Sequence, residues 1–315
     1  MKIVFFGTPE PAAEVLAPLL ASGHEIVAIV TQPDRPKGRG MKVAFSPVKE
    51  LAVKHSLPVE QPEKVKNDPG FLSWLKSLEP DIAVVVAYGK ILPKEILDIP
   101  KYGFINLHAS LLPKYRGAAP VQWALLKGEK ETGLTIFKLA EQLDAGPVIS
   151  QQKISIGEED DTITLLDKIF MTAPSLLLKT LQQIEDGSAK YIVQDEAAVS
   201  FAPLIGKESG EIDWKKGAQE VHDRVRALVL WPGAHTIFHG KRLKLLKTRL
   251  GALDLGHEPR LPGTVLQTLK NDGFIVATGR GDLLVLEVQL EGGRRMKASE
   301  FIIGHDVRIN ETLPN

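Results

Sequence analysis

The chemistry-bearing part of this chain is compact. Asn106 and His108 alternate with Leu107 directly after the apolar Gly103, Phe104 and Ile105. In extended chain, residues two apart project from the same face, so an amide and an imidazole would stand side by side at the end of a strand. Ser110, Leu111, Leu112 and Pro113 follow, and proline stops regular pairing there. A third group, Asp144, precedes Ala145 and Gly146, so its carboxylate can project from a turn without crowding. These types suit transfer of an acyl-type group to an amine. An amide N–H donates to an oxygen that becomes an oxyanion, usually the largest contribution in such reactions. An imidazole donates to the same oxygen or relays a proton, and a neighbouring carboxylate orients the ring and helps strip a proton from the attacking amine. Each residue also has a plain structural use: satisfying a strand end, filling a half-buried position, capping a turn. The three together are far more specific than any one. Ser110 has no base besides His108, and the G-x-S-x-G elbow of a serine hydrolase is absent.

The elements that must position these groups alternate. Residues 2–6 form an apolar run ending in Gly7-Thr8-Pro9, read as a buried parallel strand. A helix to Leu20 and a strand over 25–31 follow. Next come a helix near 47–54, a short strand near 57–60, a helix near 69–78 and the apolar strand 81–87. Strands over 133–139 and 147–156 flank the Asp144 turn. The acidic run at 158–161 then caps a helix reaching about Ile184. This rhythm predicts an α/β domain with a doubly wound, mostly parallel, Rossmann-like sheet. In such sheets, sites lie at the carboxyl ends of the strands. A dinucleotide fingerprint is excluded: Gly7-Thr8-Pro9-Glu10-Pro11-Ala12 lacks the three glycines, and its two prolines lack N–H donors.

After residues 190–206, read as a linker, the pattern changes. One helical segment over 217–230 precedes short alternating strands near 234–238, 242–248, 263–269, 273–277, 283–289 and 294–298. That predicts a small C-terminal β-barrel of the oligonucleotide-binding (OB) type over 207–315, behind a catalytic domain over 1–189. Within its second strand Leu243 and Leu245 face inward, leaving Arg242 and Lys244 on a basic outer face. A second basic stretch lies between Thr31 and Pro47. Arg35, Lys37, Arg39 and Lys42 stand there against the single acid Asp34, in a segment too rich in Pro and Gly to be regular. Taken alone it reads first as a solvated surface loop; the functional alternative is a mobile arm that closes on a phosphate-bearing partner, with Gly38 and Gly40 as hinges.

Composition narrows the class. The 315 residues carry 43% hydrophobic and 25% charged side chains, as ordinary globular proteins do, with 39 cationic and 39 acidic residues. There is no cysteine, hence no disulfide, thiolate metal site or cysteine nucleophile. His235 and His239 would share a strand face but lack a third ligand, so no metal is expected. No secretory signal or membrane-length run is visible, and a cytoplasmic monomer is expected.

The run NLHASLLPKYRG followed by AAPVQWA resembles the signature of the folate-dependent formyltransferases. KIVFFGTPEPA, QPDRPKGRG, PDIAVVVAYGKILP and LDAGP resemble that family in the right order, end to end. One departure is Ala145, where the family pattern has threonine; it touches a supporting contact rather than the carboxylate. The resemblance implies 10-formyltetrahydrofolate as formyl donor. It is closest to the branch that formylates methionine carried on initiator tRNA. It implies Asn106, His108 and Asp144 as the catalytic set, with Asn106 and His108 stabilising the oxyanion and Asp144 assisting proton removal. Ser110, Leu111, Leu112 and Pro113 would line the folate, and Val86, Ala87, Tyr88 and Gly89 would offer backbone to the pterin. Arg35, Lys37, Arg39, Lys42, Arg242 and Lys244 would meet tRNA, with Arg39 the principal contact. Phosphoribosylglycinamide formyltransferase shares the Asn-x-His and Ser-Leu-Leu-Pro pattern, but it is shorter and holds phosphate in a glycine-rich first turn that this chain lacks. Formyltetrahydrofolate hydrolase domains and sugar-nucleotide formyltransferases share the second domain; the basic 35–42 insertion separates this chain from them. A tRNA-binding protein with a vestigial site is the alternative of another class, and the intact triad opposes it.

Overall fold

The computed structural model describes residues 1–37, 42–251 and 260–314. In chain order its strands and helices begin with β1 (Lys2–Gly7), α1 (Glu10–Leu20), β2 (Glu25–Val30), β3 (Arg35–Lys37), β4 (Lys42–Ala44), α2 (Pro47–Lys54), β5 (Val59–Glu60), α3 (Pro69–Ser77) and β6 (Ile82–Val86). They continue with α4 (Lys94–Leu97), β7 (Phe104–His108), α5 (Pro120–Leu126), β8 (Glu131–Lys138), β9 (Val148–Ser155) and α6 (Thr162–Glu185). After these come α7 (Ala218–Ala227), β10 (His235–Phe238), β11 (Lys241–Leu250), β12 (Val265–Leu269), β13 (Gly273–Ala277), β14 (Asp282–Leu290), β15 (Arg295–Lys297) and α8 (Ala298–Gly304). The chain divides into two compact units. One comprises Met1–Gly117, Glu131–Ser155 and Asp167–Phe201; the other comprises Ala118–Lys130, Ile156–Leu166 and Ala202–Asn315.

The first unit is built on a seven-stranded sheet in the order β5-β2-β1-β6-β7-β8-β9. The pairs from β5 to β7 are parallel, and β7–β8 and β8–β9 are antiparallel. Every residue of β6 is buried, as a central strand covered on both faces must be. Each such aliphatic side chain contributes about 1.5–3 kcal/mol. Gly7 closes β1 where a Cβ would lie 2.8 Å from the Ala12 Cβ, so this glycine serves close packing of α1 on the strand. The segment after Thr31 corrects the sequence expectation of an irregular loop: β3 and β4 pair antiparallel, Arg35 opposite Ala44 and Lys37 opposite Lys42. Composition argued against order over the whole stretch, but a ribbon needs only three residues on each side, and Pro36 is tolerated in a strand whose one partner among the described residues is β4. Arg39, Gly38 and Gly40 lie outside the described residues.

The second unit holds a six-stranded antiparallel sheet, β10-β11-β14-β13-β12, with β15 on β14, consistent with the expected small barrel. Leu243 and Leu245 are buried and Arg242 is exposed, as the period of two requires. Helix α8 continues directly from β15, where only a strand was expected, and buries Phe301 against Phe238 in the core. The acids before α6 cap it: Asp161 Oδ1 accepts from the backbone N–H groups of Ile163 and Thr164 at 2.9 Å.

This unit also buries His222. Its Nε2 donates to the Glu158 carbonyl at 3.3 Å, leaving Nδ1 to accept from the Thr248 hydroxyl at 2.9 Å. Burial is the largest influence and holds its pKa below the ordinary 6.5; the nearby Arg226 pushes the same way, while the Glu158 carbonyl, Asp223 and Glu159 oppose it. Below 6.5 the unfolded chain takes up a proton that the folded chain resists, so stability falls as pH drops from 6.5 toward the depressed folded value and is complete above 6.5. Melting curves recorded against pH are expected to show that acid limb, and His222→Gln to flatten it.

Candidate active site

β7 carries the first two groups to the carboxyl edge of the parallel strands. Asn106 pairs with Val85 on one side and Phe137 on the other, and His108 with Thr135. Asn106 is half-buried, and among the described residues its side-chain amide has no hydrogen-bond partner, so its donors are free for substrate. His108 is 6% exposed, with its ring edge-on to Phe137. His108 Nε2 lies 2.8 Å from the Tyr115 carbonyl oxygen. A carbonyl only accepts, so Nε2 carries the proton and Nδ1 is the atom turned to Asp144, 3.7 Å from Oδ2.

Asp144 arrives on the loop between β8 and β9. Lys138 N–H donates to the Pro147 carbonyl at 3.0 Å across its base, and Gly146 passes so close to the Lys138 carbonyl that a Cβ would sit 1.7 Å from the oxygen. Asp144 adopts φ +50°, a left-handed conformation that aspartate tolerates better than most residues. Its Oδ2 accepts from the Gly117 backbone N–H at 2.8 Å. Tyr115 is also left-handed, at φ +62°, a strained setting for a bulky residue. That setting aims its carbonyl at His108, and its own N–H donates to the Ser200 hydroxyl at 2.9 Å. Two non-glycine residues in this region beside one imidazole mark a site where geometry is imposed by its surroundings.

The remaining first-unit candidates have the following settings. Ser110 is buried, and its hydroxyl donates to the Lys114 carbonyl at 2.7 Å; His108 instead pairs with Tyr115, so the two do not form a nucleophile–base couple. Leu112 is buried and tied by its N–H to Thr135 and by its carbonyl to Gln151, while Leu111 and Pro113 are half-buried. Val86 ends β6 and is buried, and Ala87 just beyond it is exposed at φ +48°. Tyr88 is buried with its carbonyl accepting from Gln32 at 2.8 Å, and Gly89 sits at φ +78°. Burial raises the Tyr88 hydroxyl's pKa, and that hydroxyl has no partner among the described residues. Arg35 is exposed on β3; Lys37 and Lys42 pair through their backbones. In the second unit, Arg242 and Lys244 line one groove with Lys207, Trp231 and His235, and Glu208 and Glu211 share it.

Sequence reasoning assigned no role to the groups behind the centre. Arg116 is 1% exposed, and Gln194, from the stretch read as a linker, is 6% exposed. Arg116 Nε and Nη2 donate to Gln194 Oε1 at 3.1 and 2.9 Å, and Nη2 also reaches Glu196 Oε1 at 2.8 Å. Gln194 Nε2 donates to the Asp144 and Gly146 carbonyls at 2.8 and 2.7 Å. The one local signal is a basic turn, Lys114-Tyr115-Arg116-Gly117, and nothing around Gln194 distinguishes it.

Comparison with known proteins bears on this geometry. The family described as Formyl transferase matches residues 1–181, and the family described as Formyl transferase, C-terminal domain, matches 204–306. The methionyl-tRNA formyltransferase of Caldanaerobacter subterraneus subsp. tengcongensis is 48% identical, covering 98% of this chain and 98% of its own. That of Acetivibrio thermocellus is 44% identical, covering 99% of each. A solved N-formyltransferase from Helicobacter canadensis, in complex with folinic acid and dTDP-3-aminofucose, aligns with a TM-score of 0.67 over 90% of this chain and 98% of that one. At 18% identity that likeness speaks for the fold. With matches over both halves and close relatives along its whole length, the chain belongs to the formyl transferase family and is a formyltransferase.

Proposed function

We propose that the chain transfers a formyl group from 10-formyltetrahydrofolate to the α-amine of methionine esterified to initiator tRNA, in the cytoplasm. The observation that carries this reading is the convergence of Asn106, His108 and Asp144 at the carboxyl edge of a sheet whose close relatives are methionyl-tRNA formyltransferases. The folate is a substrate. The turn Val86, Ala87, Tyr88 and Gly89 offers it backbone donors and acceptors, with Ala87 exposed, and Ser110, Leu111, Leu112 and Pro113 form the neighbouring wall.

The free amine attacks the formyl carbon, forming a C–N bond and placing negative charge on the formyl oxygen. The Asn106 amide, with no partner to relinquish among the described residues, donates to that oxygen. With Nε2–H held by Tyr115, His108 acts at Nδ1, accepting the proton lost by the amine, and the Asp144 carboxylate stabilises the imidazolium so formed. The tetrahedral adduct collapses, the bond to N10 breaks, and the proton passes to that nitrogen as tetrahydrofolate leaves.

Acceptor choice rests on the cations of Arg35, Lys37, Arg39 and Lys42, with Arg242 and Lys244 on the barrel. The deciding experiment supplies labelled 10-formyltetrahydrofolate with charged initiator tRNA and, in parallel, glycinamide ribonucleotide. Label on the tRNA alone is expected; label on the ribonucleotide overturns the assignment. Arg39→Ala is expected to raise KM for tRNA and flatten the log–log salt dependence by about one unit of slope, as loss of one phosphate contact does. An unchanged KM would remove the arm from acceptor recognition.

A further inference from the structure

Asp144 owes its place to side chains distant in sequence. Its left-handed backbone, φ +50°, is not a resting state for an exposed loop. The carboxylate's contact with Gly117 N–H fixes the tip, but two carbonyls of the same turn, those of Asp144 and Gly146, point to Gln194 Nε2. The orientation of that amide is chemically determined. Arg116 offers only donors, so it must face Oε1; the loop offers carbonyl oxygens, so it must face Nε2. No flipped arrangement satisfies both sides. Arg116 is in turn locked by its burial and by Glu196, and its backbone N–H donates to the Ser200 carbonyl at 2.9 Å. Ser200 also accepts, through its hydroxyl, from the N–H of Tyr115, whose carbonyl holds His108. One run of hydrogen bonds therefore reaches both partners of the imidazole.

We propose that Gln194 is the positioning residue for Asp144, holding the turn in the conformation that points the carboxylate at His108 Nδ1, and that Arg116 sets the amide's orientation. This rests on the catalytic role given to Asp144 above. Gln194 touches no reacting atom; it acts through the loop backbone. Its contribution must therefore vanish when the Asp144 carboxylate is absent, whereas a general structural contribution would persist.

The test is a double-mutant cycle read by single-turnover formylation of charged initiator tRNA. Gln194→Glu keeps size and the acceptor for Arg116 but replaces the donor to both carbonyls with a second acceptor. In the wild-type background it is expected to slow the chemical step about 10–100-fold, with KM for folate and for tRNA changed less than about twofold. In the Asp144→Asn background it is expected to slow that step less than about twofold further. Equal losses in the two backgrounds, or no loss in the first, overturn the proposal. Should Gln194→Glu fail to fold by its melting curve, Gln194→Asn, with the same amide on a shorter arm, passes through the same cycle under the same criteria. Full activity of Asp144→Asn alone is the separate result that would remove the catalytic reading of Asp144, and with it any step for Gln194 to position.

Discussion

Asn106→Ala is expected to lower kcat by about 10²–10³-fold, the usual cost of removing one oxyanion donor, with KM for both substrates nearly unchanged. The reason lies in the free state of the side chain. Half-buried on β7, its amide bonds to no other described residue, so truncation breaks no side-chain hydrogen bond among them. What is lost exists only when charge develops on the formyl oxygen, and such a loss appears in kcat and kcat/KM equally. Steady-state kinetics with each substrate varied, alongside a melting curve, provide the check. An unchanged kcat would take Asn106 out of the mechanism, and a proportional rise in KM would make it a binding group instead.

Asp144→Asn carries the second large effect, about 10²–10⁴-fold in kcat. The amide keeps the size of the carboxylate and retains an oxygen able to accept from Gly117 N–H, so the loop is expected to stand. It cannot offset a proton acquired by His108 Nδ1, which faces it at 3.7 Å. Combining Asp144→Asn with His108→Ala separates a working pair from two independent groups. For a pair, the double variant is expected to lose about as much as the worse single one, as groups acting as a unit do. Multiplying losses would show that the two act separately.

The distance between residues in sequence explains what was legible. Asn106 and His108 share one strand, and a period of two is enough to place both on one face; the buried parallel strands showed equally in continuous apolar runs such as β6. Asp144 was legible only as a carboxylate before a small residue and a glycine, a pattern common in turns, while its approach to His108 is a product of the fold. Arg116 and Gln194 are 78 residues apart, and neither carries a pattern that names the other. Their pairing follows from tertiary proximity alone. The β3–β4 ribbon was hidden by averaging over a Pro- and Gly-rich stretch. Helix α8 was hidden because it follows β15 without an intervening turn residue.

The strand order carries a consequence for assembly. Asn106, His108 and Asp144 are all contained between the start of β7 and the end of β9, three strands paired antiparallel in chain order although α5 intervenes between the first two. The cost of closing such loops grows only slowly with their length. Gln194 and Ser200 come from beyond the 24-residue helix α6, flanked by the exposed Ile192, Val193 and Phe201. Asn106, His108 and Asp144 and the proposed Gln194–Ser200 clasp thus come from separate stretches of chain on either side of α6. Amide exchange at Tyr115 and Arg116, whose N–H groups end on Ser200, reads the closing of that clasp apart from the unfolding of the sheet.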